Sequence, residues 1–181
     1  VFTSTDGYSW TTNTGASIVP LKCVAFGNGV FVALAINDVA AVSTDGVIWQ
    51  FYGTPGGYDW QDIVFAKGQF VAVAGTGPAN GRAITSIDGI TWAGRVTPPH
   101  DSYWYSITAA EVYGYVAYVA VASSTTVPGS LARSMYSYDG ITWSILEVPA
   151  AFAWYSVAYG NNKFVSVGAN GSQGAMTLSY N

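Results

Sequence analysis

Residues 86–92, "SIDGITW", decide the fold of this chain. They read as a tight hairpin corner. The aspartate can accept hydrogen bonds from its own backbone, the glycine is free to take a positive φ, and a tryptophan stands on the far side of the turn. The same spelling, S-x-D-G-x-x-W, returns as "STDGYSW" at 4–10, "STDGVIW" at 43–49 and "SYDGITW" at 137–143. The aspartates Asp6, Asp45, Asp88 and Asp139 fall about 40 to 50 residues apart, a period that marks a repeat architecture. With Trp10, Trp49, Trp92 and Trp143 they build four matching corners, a structural rather than a chemical role.

Between the corners runs a second string: "VAFGNGVFVAL" (24–34), "IVFAKGQFVAV" (63–73) and "VAYGNNKFVSV" (157–167), with a degenerate version, "ITAAEVYGYVAYVAV" (107–121), in the third unit. Each unit therefore reads as four short strands. Strand a ends in "VAF", "IVF" or "VAY"; strand b is "VFVAL", "QFVAV" or "KFVSV". Strand c is "AAVS", "AITS" or "SMYS", and strand d is "VIW" or "ITW". Gly-Asn-Gly, Lys-Gly or Asn-Asn links a to b, and the Asp-Gly of the corner links c to d, both hairpin signals. Strand b is almost continuously apolar, so both faces of the sheet should be covered. No stretch sustains the i, i+3, i+4, i+7 spacing of a helix.

Four-stranded units at this period predict an all-β fold, a small β-propeller of about four blades. The chain reads as one domain, 1–181, with units at 11–49, 50–92, 93–143 and 144–181, the last completed by 1–10. The N- and C-terminal strands are expected to pair and close the ring, which leaves one c strand surplus, at 1–4 or at 177–181. The alternatives are part of a larger propeller or an open arc completed by another chain. The chain opens at Val1 with neither an initiator Met nor a basic-plus-apolar leader, which reads as a processed or excised piece.

S-x-D-G-x-x-W resembles the Asp-box (BNR) repeat of sialidases and other propellers, over the whole chain and in four matching copies. Wording such as "YGNNKFVSVG" together with "SYDGITW" also resembles repeats common in phage tail and other virion proteins. The sialidase resemblance would imply an arginine triad, a Tyr/Glu nucleophile pair and an aspartic acid on six blades. This chain has three arginines but no Phe-Arg-Ile-Pro-like segment, and it is too short for six blades.

Composition narrows the function. Half of the residues are hydrophobic and 15% aromatic, with 9% charged, which excludes a disordered chain. A net charge of −4 and only six Lys and Arg argue against a nucleic-acid surface. The uncharged stretch 112–132 is broken by Gly, Pro, Ser and Thr, so no membrane span is expected. Cys23 is the sole cysteine and reads as a small core residue.

In such a propeller the a–b and c–d turns share one face, and the d–a and b–c loops share the other. The turns are monotonous here, whereas the loops vary: "QFYGTPGGYD" (50–59), "GTGPANGR" (75–82), "AGRVTPPHDSY" (93–103), "ASSTTVPGSLAR" (122–133), "SILEVPAAFA" (144–153) and "GANGSQG" (168–174). A rigid scaffold with one variable face is how binding loops are displayed. The candidate ligand-binding residues on it are Tyr52, Tyr58, Arg82, Arg95, His100, Asp101, Tyr103 and Arg133, flanked by Asp38, Phe51, Asp59 and Glu147. Aromatic rings beside planar hydrogen-bonding groups suit a sugar, whose C–H face stacks while its hydroxyls bond.

Catalysis is not expected. No carboxylate pair is selected by spacing, no G-x-S-x-G elbow accompanies His100 and Asp101, and a single histidine with scattered carboxylates supports neither a metal nor a cofactor. The expected function is a non-catalytic binding module of a virion or extracellular protein, with a surface glycan or host receptor and neighbouring protein chains as partners. The alternatives are a purely structural propeller packed against other chains, an extracytoplasmic assembly factor, and, last, a sialidase-like hydrolase.

Overall fold

The structure, a computed structural model, describes residues 1–13, 19–78, 80–98, 102–125, 134–148, 152–169 and 178–180. Among them there is no helix. β1 (Phe2–Thr3) and β2 (Thr11–Thr12) form a hairpin around the first corner. Three four-stranded antiparallel sheets follow. The first holds β3 (Leu21–Gly27), β4 (Val30–Ala35), β5 (Val39–Ser43) and β6 (Gln50–Gly53). The second holds β7 (Asp59–Ala66), β8 (Gln69–Thr76), β9 (Ala83–Ser86) and β10 (Ala93–Arg95). The third holds β11 (Ser102–Val112), β12 (Tyr115–Thr125), β13 (Ser134–Ser137) and β14 (Ser144–Leu146). A three-stranded sheet of β15 (Ala153–Gly160), β16 (Lys163–Ala169) and β17 (Leu178–Tyr180) ends the chain.

Every sheet keeps its strands in chain order, and the first strands pack on one another, β3 on β7, β7 on β11 and β11 on β15. That arrangement is a small β-propeller whose blades meet at their a strands. The second strands are buried as their apolar runs require: Val32 and Leu34, Phe70 to Ala74, and Ala120 are sealed between blades. Trp60, Trp104 and Trp154, each near the start of an a strand, are fully buried wedges in the three inter-blade clusters. Blades also approach closely at Gly27, where a Cβ would overlap the Phe65 ring of the next blade.

All four a–b turns have two central residues at positive φ, as a type I′ hairpin needs: Asn28-Gly29, Lys67-Gly68, Tyr113-Gly114 and Asn161-Asn162. The aspartate corners are chemically identical. In 86–92 the Ser86 hydroxyl donates to Asp88 Oδ1 at 2.9 Å and accepts from the Gly89 N–H at 2.8 Å. Asp88 Oδ1 also accepts from the N–H groups of Ile90 and Thr91, both at 2.8 Å, and Trp92 Nε1 donates to the Gly89 carbonyl. This bonding corrects the expected position of strand d. The first two residues of "VIW" and "ITW" spend their N–H groups on the aspartate, so the strand begins after the tryptophan, at Gln50, Ala93 and Ser144.

Two of the corners also sit on the preceding blade. A Cβ on Gly89 would overlap Val32, and one on Gly140 would lie 3.0 Å from Val71 Cγ2 and 2.9 Å from Gln69 Nε2. Asn28 Nδ2 donates to the Ile87 carbonyl at 2.8 Å, and Gln69 Nε2 to the Asp139 carbonyl at 2.7 Å, so a side-chain amide from one blade ties down the corner of the next. Near the axis Asp62 Oδ2 accepts from the Ile107 N–H at 2.9 Å, and Ser106 Oγ from the Val157 N–H at 3.3 Å.

The two ends differ from the expected closure. β1 pairs with β2, β17 takes the third position beside β16, and among the described residues no strand pairing joins the two groups. Ring closure depends on the twist summed over all blades, which no local motif encodes. Trp10 consequently tucks beneath nothing: it donates to the Gly7 carbonyl like its counterparts, yet is 61% exposed, against 9% for Trp49 and 7% for Trp143.

Candidate binding faces

The loop face gathers three of the residues singled out from sequence. The d–a connection into the second blade carries Tyr58, whose N–H, with that of Gly57, is held by the Asp38 carboxylate at 3.0 and 2.8 Å. The b–c connection of the same blade carries Arg82, which is buried and donates through Nε and Nη2 to the Gly77 carbonyl. A Cβ on Gly77 would overlap the Tyr58 ring, and one on Gly81 its hydroxyl. The Arg82 guanidinium sits 5.5 Å from the ring centroid of Tyr103 on β11, a cation–π contact that links the second blade to the third. Tyr58 in turn packs on Trp60 with ring centroids 5.0 Å apart. Tyr58 and Arg82 are thus packed against glycine-rich connections, and Tyr103, on β11, lies against the Arg82 guanidinium.

Tyr52 and Arg95 stand apart from this cluster. Both lie on d strands rather than in loops, Tyr52 donating to Gln50 Oε1 at 2.7 Å and Arg95 Nε to Thr85 Oγ1 at 2.8 Å. His100, Asp101 and Arg133 lie outside the described residues. Below the cluster, Lys22, Asp59 and Gln61 form a polar patch at the starts of β3 and β7, with Lys22 Nζ 3.4 Å from Asp59 Oδ1. Cys23 is half-buried against the first core cluster, and burial pushes its thiol up to about 12, which suits packing and not nucleophilic chemistry.

The opposite, turn-bearing face holds a feature the sequence reading passed over. The third blade's a–b hairpin runs two pairs beyond the others, Glu111↔Val116 and Val112↔Tyr115, and so projects about 7 Å further. Its tip is Tyr113, 90% exposed and held at φ +50, a conformation that bulky side chains rarely adopt. Between this hairpin and the last sheet lies a groove of about 930 Å³ walled by Tyr115, Tyr136, Tyr138, Tyr159 and Phe164, with Glu111 and Asn162 on its rim and Ala117 and Val119 on its floor. Tyr136 and Tyr138 meet edge to face, with centroids 5.6 Å apart. The available signal was the extra length of "ITAAEVYGYVAYVAV" relative to the other three strings.

Among the described residues, no group of three or more His, Cys, Asp or Glu could hold a metal ion, and no helix is long and apolar enough to cross a membrane. No family model and no curated protein matches the chain. Solved structures do. The computationally designed Ika4 protein is 13% identical, aligned over 91% of this chain and 92% of its own, with a TM-score of 0.63. YCF48, solved bound to a D1 peptide, is 13% identical over 96% of this chain and 58% of its own, with a TM-score of 0.61. A Trypanosoma rangeli sialidase in complex with the inhibitor DANA is 15% identical over 84% of this chain and 28% of its own, with a TM-score of 0.53. The chain therefore spans little more than half of YCF48 and about a quarter of the sialidase, and what it shares with all three is the β-propeller fold.

Proposed function

We propose that the chain is a non-catalytic Asp-box propeller serving as a receptor-binding or decoration module of a virion or extracellular protein, and that its ligand is a surface glycan. The observation that supports this reading is the convergence of Tyr58, Arg82 and Tyr103 from three separate segments onto the loop face. Tyrosine rings fixed in advance lose little conformational freedom on binding, so stacking against the C–H face of a sugar is not offset by ordering the side chain. Arg82 acts as a positioning residue. Its donors hold the Gly77 carbonyl while its cationic face steadies Tyr103, so the ring is the contact and the guanidinium its support.

A glycan array probed with the chain tests this. Binding to at least one glycan class is expected, weakened about tenfold by Tyr103→Ala, since an aromatic contact contributes about 0.5–1.5 kcal/mol. A silent array, or binding indifferent to Tyr103→Ala, refutes the reading. A sialoside reporter is expected to stay intact on incubation with the chain. The assembly alternative draws support from a different observation, the uncovered faces at the two ends.

A further inference from the structure

Successive blades meet through recurring surfaces, each seen at two junctions, and the two ends of the chain leave further members of each series unmet. At the axis, Asp62 and Ser106 each accept the N–H of the following blade's a strand. The next member of that series is Ser156, exposed on β15. Its missing counterpart is Val24, opposite Ala33 just as Ile63 is opposite Ala72 and Ile107 opposite Ala120. Val24 is 59% exposed, whereas Ile63 is 6% and Ile107 5%.

The rim repeats the pattern. The corner glycines Gly89 and Gly140 rest on Val32 and Val71. The residue in the same register of the third blade is Val119, opposite Tyr136 as Val32 is opposite Val42 and Val71 opposite Thr85, and it floors the tyrosine groove. One corner has no floor: nothing lies within 4 Å of where a Cβ on Gly7 would be. Val119 is thus a vacant seat and the corner at 4–10 a spare corner, while the corner at 43–49 has Thr3 of β1 and Phe31 as the nearest neighbours of Gly46.

We infer that a second copy of this chain supplies the missing half. β15 and β16 of one copy and the β1–β2 hairpin of the other form a single blade, at two equivalent junctions. The corner at 4–10 then seats on Val119 of the other copy, and Ser156 meets the Val24 N–H across the second contact of that blade. A second copy is favoured over the chain's own hairpin because β17 already holds the third position beside β16 and, among the described residues, no strand pairing joins the two ends. β17 holds its place only loosely in pattern. It sets Tyr180 opposite Phe164, whereas the complete blades set the corner serine there, as in Phe31↔Ser43, Phe70↔Ser86 and Tyr118↔Ser137. β1, exchanged for β17, brings Ser4 to that position. Heterologous end-to-end contacts of this kind are finite when they close, here as a two-copy ring. Closure also covers Val24 and Phe26, two of the large side chains left exposed in the single chain.

Light scattering on the 181-residue chain is expected to give twice 19.0 kDa. Val24→Asp alters a side chain already exposed in the single chain, so the circular dichroism spectrum should be retained while the mass halves. Removal of 1–13 should also halve it. Tyr103→Ala, on the loop face, should leave it doubled, which separates this inference from the glycan reading. A 19.0 kDa particle from the unaltered chain overturns the proposal, and so does one whose Trp10 is shielded from an aqueous quencher, the mark of closure within one chain. A doubled mass that survives both Val24→Asp and removal of 1–13 overturns it as well.

Discussion

The corners at 4–10 and 137–143 share every internal hydrogen bond and differ in what lies beneath them. Ser4 donates to Asp6 Oδ1 at 2.9 Å and Ser137 to Asp139 Oδ1 at 2.9 Å; the N–H pairs of Tyr8–Ser9 and Ile141–Thr142 reach their aspartates at 2.7 to 2.8 Å. Only the second corner rests on a neighbouring blade, through Val71 and Gln69, with Trp143 sealed into the core. The motif therefore encodes the turn, and the neighbour supplies the burial. Turn formation and blade stacking are separable, and substitutions at matched positions measure each.

The largest separation is expected at the tryptophans. In the Val24→Asp background, which keeps the chain single, Trp143→Ala should cost about 3–5 kcal/mol in denaturant unfolding, the range for truncating a buried aromatic. Trp10→Ala in the same background should cost less than about 0.5 kcal/mol, as at most exposed positions. Equal costs would mean that the tryptophan acts through its bond to the glycine carbonyl, present in both corners, and not through burial.

The glycines divide the effect more finely. Gly7 and Gly140 have φ of +78 and +72, so alanine at either incurs a backbone penalty of about 1 kcal/mol. At Gly140 the new methyl also collides with Val71 and Gln69, adding about 1–3 kcal/mol of overpacking. Gly140→Ala should therefore lower the unfolding midpoint clearly more than Gly7→Ala. Parity between them would remove the seat as a source of stability.

The same division explains what was legible in the sequence. Residues 86–92 carry their own bonding partners, so the corner, its period and the hairpin before it could be read residue by residue. The apolar runs of β4 and β8 announced two-sided burial in the same way. Strand d was misplaced because the aspartate takes the two N–H groups that would otherwise open the ladder. On the loop face, Arg82 and Tyr103 are brought together by the path of two connections, which composition does not fix, and Arg82, read as a ligand-binding candidate, is buried. The tyrosine groove draws its walls from β12, β13, β15 and β16, so no single segment reveals it. Closure of the ring was least legible of all, since it depends on geometry accumulated over every blade.

The smallest expected difference between the two corners is in their acidity, and a near-zero difference is the informative result. The N–H groups of Ser9 and Tyr8 and the Ser4 hydroxyl hold Asp6 down from 3.8 to about 2. At Asp139 burial pushes the carboxyl up, but the N–H groups of Thr142 and Ile141 and the Ser137 hydroxyl outweigh it and also bring it to about 2. Both groups are ionised more readily folded than unfolded, so the unfolded chain binds more protons as pH falls. Their contribution to stability is complete above 3.8 and is lost as pH drops towards 2. Carboxyl-carbon NMR titration should place both aspartates near the lower value, in the seated and the unseated corner alike. An Asp6 that titrates at its ordinary 3.8 would show that the corner needs a blade beneath it in order to form, and the turn could no longer be treated as a unit complete in seven residues.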